Sequence, residues 1–161
     1  MKNLILIVSI FLCVNLFSCK KIESKLKNTL PENVPKNISI KNFVKEFQND
    51  SSIIEIEGIQ VTDLFYKEYF LYKGNKKRVI EGINKIDSQD YFSENCKLST
   101  VEDLNKSIIE SERNKQTDFF WKFKKLKKYE IYTSIKGLNK HYIIFDSNSD
   151  TIYHRVEEIA D

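Results

Sequence analysis

Tyr129-Glu-Ile-Tyr-Thr-Ser-Ile135, Tyr142-Ile-Ile-Phe-Asp146 and Thr151-Ile-Tyr-His-Arg-Val156 are three apolar runs close together near the C-terminus. In the first, Tyr129, Ile131, Thr133 and Ile135 recur every second residue, the period of a strand with one face buried. The other two flank Ser147-Asn-Ser-Asp150, a cluster of residues that favour tight turns, so they predict a terminal β-hairpin.

Working back from that hairpin, the segment from Asp118 to Leu126 reads as either a short helix or a strand. Ser99-Thr-Val-Glu102 has the form of a capping box, and Val101, Leu104 and Ile108 follow at helical spacing. A helix is therefore expected from about Thr100 to Lys115. The aromatic run from Phe65 to Lys73 reads as strand. Gly74-Asn-Lys-Lys77 is a turn into Arg78–Ile86, where strand and helix both fit. Ile54 and Ile56 alternate with Glu55 and Glu57, and the apolar phase slips after Gly58, which predicts a bulge there. Ser39 caps a short helix with Phe43, Val44 and Phe47 as its apolar stripe. The expected fold class is α+β: a mainly antiparallel sheet with two or three helices packed on one side, ending in a C-terminal β-hairpin. Residues 39–161 form one domain in this reading.

The N-terminus has a different character. Met1-Lys2-Asn3 precedes the apolar run Leu4–Leu16, which is too short for a bilayer-spanning helix and contains Ser9 and Asn15. An export signal fits it better. Leu16-Phe17-Ser18-Cys19 resembles the lipobox of bacterial lipoproteins, with an aliphatic residue three before the cysteine and a small residue one before it. That resemblance covers only the N-terminus. It implies diacylglycerol on the Cys19 thiol, removal of residues 1–18 as a signal peptide, and a membrane lipid as the first partner. Residues 19–38 then form a lipidated, Lys-rich tether holding Pro31 and Pro35. Without an acidic run after Cys19, the expected location is the cell envelope, on the periplasmic face of an outer membrane.

The chain has 161 residues with 26 basic and 23 acidic side chains. Loss of the signal peptide removes only Lys2, leaving 25 against 23, too even a balance to recruit nucleic acid by global charge. Cys13 leaves with the signal and Cys19 carries lipid, so Cys96 has no partner for an internal disulfide. Folding must rest on apolar burial, for which 11 Phe, 8 Tyr and 1 Trp are available.

Candidate chemistry is sparse. Asp146, Asn148, Asp150 and Glu157 stand at positions one, three, five and twelve of an EF-hand-like calcium frame. Position six needs Gly for its sharp turn, and Thr151 stands there between two strands, so a hairpin tip explains the same residues. Pairing Phe145 with Thr151 across that tip sets Tyr142 opposite His154 and His141 opposite Arg155. The two imidazoles then point to opposite sides of the sheet and share no metal. Nothing in the sequence brings Cys96 to either ring as a nucleophile. Glu55 and Glu57, on one strand face, could serve glycoside cleavage, but a solvated face explains them equally. Ser24-Lys-Leu-Lys27 matches a penicillin-enzyme pattern, yet it lies in the tether without the motif's other parts.

Phe119-Phe-Trp-Lys-Phe-Lys-Lys-Leu-Lys-Lys128 interleaves aromatics with lysines. It reads either as an amphipathic element with solvated lysines or as a partner-binding surface at Trp121, Lys124, Lys125 and Lys128. The functional expectation is a non-enzymatic binding or accessory module of immunity or inhibitor type. It would have a protein partner in the envelope, no nucleic acid and no cofactor. A small envelope enzyme with scattered site residues and a structural envelope component are the alternatives.

Overall fold

The computed structural model describes residues 35–62, 66–86, 92–107 and 113–159. The chain enters through β1 (Lys36–Asn37), a short α1 (Ile40–Phe43) and a 3₁₀ turn at Lys45–Phe47. Next come β2 (Ile54–Thr62), β3 (Tyr66–Lys73), α2 (Lys76–Asn84), β4 (Ser93–Ser99) and α3 (Val101–Ser107). The chain continues through α4 (Asp118–Trp121), a 3₁₀ turn at Lys122–Lys125, β5 (Tyr129–Lys136), β6 (Asn139–Asp146) and β7 (Thr151–Glu158). The strands form a single seven-stranded sheet in the order β1-β2-β3-β7-β6-β5-β4, antiparallel at every pairing. This is the α+β architecture that the alternating runs predict. Residues 36 and 37, expected in the tether, already pair with Gln60 and Ile59.

Helical segments cover both faces of the sheet rather than one. On one face, Phe70, Tyr72, Ile143, Phe145 and Ile152 pack against Ile40, Val44, Phe47, Val79 and Ile83 from α1, α2 and their flanks. On the other, Tyr69, Ile131, Tyr142, Ile144 and Tyr153 pack against Leu104, Phe119, Phe120, Trp121 and Phe123. The central strands carry apolar residues at both parities, as Tyr142-Ile-Ile-Phe145 already does, so both sides need cover.

Local chemistry starts each helix. The Ser39 side chain accepts from the Asn42 N–H at 3.2 Å, as expected of its cap. Asn75 accepts from the Arg78 N–H at 3.2 Å, so the ambiguous segment is helical, with Val79, Gly82 and Ile83 inward. The capping box before α3 sits one residue later than expected. Thr100 Oγ1 accepts from the Asp103 N–H at 3.1 Å and donates to the Asp103 carboxylate at 2.6 Å. The segment from Asp118 is a turn of α-helix followed by 3₁₀, not a strand.

Two strand details depart from the sequence pattern. The bulge in β2 is Ile56, between Glu55 and Glu57, and not at Gly58. It turns Glu55 toward the Tyr72 face and Glu57 toward the Leu71 face, so the two carboxylates are not a pair. It also leaves Ile54 and Ile56 exposed. Gly58 serves a close approach: a Cβ there would stand 2.2 Å from the Ile38 carbonyl oxygen. β4 has no apolar periodicity at all. Its residues are almost all exposed or half-exposed, and it is an edge strand held by its backbone ladder to β5.

Candidate functional site

Among the described residues, no helix packs over the outer strands on the face that carries Tyr142 as fully as over the centre. There a cleft of about 420 Å³ is lined by Glu94 and Lys97 of β4, Asp103 of α3, Thr133 of β5, and Lys140 and Tyr142 of β6. Small-molecule sites commonly run from about 300 to 1,000 Å³. Ladder register builds its floor: Thr133 lies opposite both Lys97 and Tyr142, and Ile135 lies opposite Lys140. The Lys97 ammonium contacts the Glu94 carboxylate. The Lys140 ammonium rests 4.9 Å from the centre of the Tyr142 ring.

Across the ladder from Tyr142 lies a fully buried cation. The Arg155 guanidinium sits 5.4 Å from the Tyr142 ring and 5.8 Å from the Tyr69 ring, and it pairs with Glu157 at 2.7 Å. The second oxygen of Glu157 accepts from the Tyr142 hydroxyl at 2.5 Å.

The opposite face holds a buried polar cluster. Tyr72 Oη lies 3.2 Å from His154 Nδ1, and His154 Nε2 lies 3.0 Å from His141 Nδ1. Burial lowers the His141 pKa to about 4, helped by the Lys136 charge. It also drives His154 well below its ordinary value, with His141 adding to the effect. Burial raises the Tyr72 hydroxyl and the Cys96 thiol, so both stay protonated. The buried Lys136 ammonium donates to Ser93 Oγ, Asn95 Oδ1 and the Asn84 carbonyl at 3.0–3.2 Å, which caps the C-terminal end of α2. His141 and His154 are 1% and 0% exposed and line none of the described clefts, so their chain braces the core.

Comparison with family models, curated proteins and solved structures found no match.

The expectation for the histidines is overturned by one residue of register. Phe145 pairs with Ile152, not Thr151, so His141 and His154 share a face and touch. The calcium reading fails on distance. Asp146 and Asp150 flank the hairpin tip, but Glu157 lies six residues along β7 from Thr151, roughly 20 Å away at strand rise. Asp146 instead accepts from the Asn148 N–H at 3.0 Å and the Ser149 hydroxyl at 2.8 Å, while Asp150 pairs with Lys73 at 3.7 Å. Among the described residues no three His, Cys, Asp or Glu side chains group as a metal site.

Trp121 is 1% exposed, stacked on Phe123 and beside Phe120, so it offers no contact surface. Lys124, Lys125 and Lys128 stay exposed, with the Lys124 ammonium 5.1 Å from the Trp121 ring. Cys19, Ser24 and Lys27 lie outside the described residues. No helix among those described is long and apolar enough to cross a membrane. The cleft residues Lys97, Thr133 and Lys140 escaped sequence reading. The only available signal was polar residues on a strand face otherwise due to be apolar.

Proposed function

We propose that this chain is a bacterial lipoprotein held to an envelope membrane by lipid on Cys19, and that its domain is a non-enzymatic binding module. The anchor reading rests on Leu16-Phe17-Ser18-Cys19. The binding reading rests on one observation. Phe119, Phe120, Trp121 and Phe123 are buried while Lys122, Lys124, Lys125, Lys127 and Lys128 are exposed, so a ridge of five lysines stands on a packed aromatic base. Such a ridge presents its charge at little ordering cost and suits an acidic protein surface. An immunity or inhibitor role, on the periplasmic face of an outer membrane, is the specific version of this reading.

Labelled palmitate tests the anchor. It should enter the wild-type protein and not a Cys19→Ala variant; equal labelling of both overturns the assignment. Affinity capture from the native envelope, compared between wild type and a Lys124→Glu/Lys125→Glu/Lys128→Glu variant, tests the ridge. An acidic partner should be lost from the variant, and identical captured sets would remove the ridge from the proposal.

A further inference from the structure

We infer that the cleft between β4, α3 and β6 binds a small ligand carrying one oxyanion and several hydroxyls, the chemistry of an acidic or phosphorylated monosaccharide. The inference rests on neither the lipid anchor nor the lysine ridge.

The charge arrangement carries it. Lys140 faces Glu157 directly across the β6–β7 ladder, the natural place for a cross-strand ion pair. Both carboxylate oxygens of Glu157 are instead taken, one by the buried Arg155 guanidinium and one by the Tyr142 hydroxyl. Lys140 therefore has no carboxylate in ion-pair range among the described residues, and its ammonium lies on the Tyr142 ring at the cleft floor. Lys97 flanks the same floor from the other side, opposite Thr133. Lys140, without an acid, and Lys97, paired with Glu94, thus line one cleft with the Thr133 hydroxyl, which has no hydrogen-bond partner among the described residues. That is a seat for a carboxylate or phosphate.

The remaining lining sets the rest of the ligand. A volume of about 420 Å³ exceeds what one bare oxyanion fills. Glu94, which pairs with Lys97, and Asp103, which accepts from Thr100, put negative charge on the rim that repels a second anion, and carboxylate lone pairs beyond those contacts receive hydroxyl donors. The Tyr142 ring already carries the Lys140 ammonium and has the Arg155 guanidinium beside it, so it is a poor stacking platform for an aromatic ligand. One negative group with neutral hydroxyls around it satisfies all of these surfaces together.

Ligand-observed NMR on the full-length chain in detergent micelles provides the test, with glucuronate, glucose 6-phosphate, glucose and inorganic phosphate as separate probes. Glucuronate or glucose 6-phosphate should bind saturably, and at least ten-fold more tightly than glucose or inorganic phosphate. Lys140→Met should weaken that binding at least ten-fold. Lys97→Met, on the exposed rim, gives an independent variant, with unfolding curves confirming that both are folded. Lys124→Glu/Lys125→Glu/Lys128→Glu should leave the titration unchanged, which separates this site from the ridge. Four results overturn the inference: no saturable binding, glucose binding as well as the acidic sugars, inorganic phosphate alone binding as well, or unaltered binding in both cleft variants.

Discussion

His141 Nδ1 lies 3.0 Å from His154 Nε2, with both rings buried and Tyr72 closing the far side of the chain at 3.2 Å. One nitrogen of the central contact must donate and the other accept, which forbids protonation of both rings, and burial disfavours the charge on either. Double protonation would set two N–H groups against each other in a site already facing the Lys136 charge. The other groups around the pair are Phe43, Phe70 and the raised Tyr72 hydroxyl, none of which supplies a negative charge at neutral pH.

The pair makes stability depend on pH below neutrality. Unfolded, each imidazole titrates near 6.5; folded, His141 is held at about 4 and His154 well below its ordinary value. Between those limits only the unfolded chain takes up the protons. Stability is therefore whole above about pH 6.5 and falls by roughly 1.4 kcal/mol per pH unit per histidine on acidification. Glu68, whose pKa burial raises, works in the opposite sense as it protonates and offsets part of the loss. The lowered carboxylates Asp50, Asp118 and Glu130 contribute stability that is lost only at lower pH. Urea unfolding at pH 7.5, 6 and 5 should show the slope, and a His141→Phe/His154→Phe variant should flatten it. An unchanged slope in that variant would assign the effect elsewhere.

Glu55 and Glu57 should separate in effect. Glu55 accepts from the Ser39 hydroxyl at 2.5 Å and from the Lys41 N–H at 2.8 Å, fastening α1 to β2. Glu55→Ala should cost about 1 kcal/mol, the scale of a lost cap. Glu57→Ala should stay within about 0.5 kcal/mol, as for an exposed side chain. Equal losses in denaturant melts would contradict the Ile56 bulge that turns the two apart.

Gly58→Ala should destabilise more than Gly74→Ala. At Gly58 the new methyl meets the Ile38 backbone carbonyl at 2.2 Å, so β1 must shift. At Gly74 it meets the end of the Ile53 side chain at 2.7 Å, which can rotate. A cost of about 1–3 kcal/mol is expected at Gly58, with the smaller part of that range at Gly74. Thermal unfolding of the two variants checks the order.

Trp121 should behave as core and not as contact surface. Trp121→Ala removes a buried ring between Phe120 and Phe123 and should cost about 3–5 kcal/mol. Trp121→Phe should cost much less. It keeps an aromatic in the packing and deletes an indole N–H that is buried with no hydrogen-bond partner among the described residues. A Trp121→Ala variant with wild-type stability would show the ring is not packed.

Short-range chemistry was legible from the chain. Two-residue alternation at Tyr129–Ile135, the Ser39 cap and the turn residues at 147–150 each need only a few neighbours to act, and each forms as expected. The helix over Lys76–Asn84 was ambiguous because Val79, Ile83 and Ile86 fit either period until a sheet stands beneath them. β4 was illegible: an edge strand exposed on both faces has no burial to impress a period on Ser93–Ser99.

The sequence by itself determined the strand-rich α+β class and the turn positions. Only the tertiary structure decided which faces meet. Strand period says that alternate residues part company, but register says with whom. A shift of a single residue at Phe145 moves His154 from the face of Tyr142 to the face that His141 occupies. The same long-range packing directs Glu157 to Arg155 and Tyr142, leaving Lys140 without an acid among the described residues, and no local pattern carries that information.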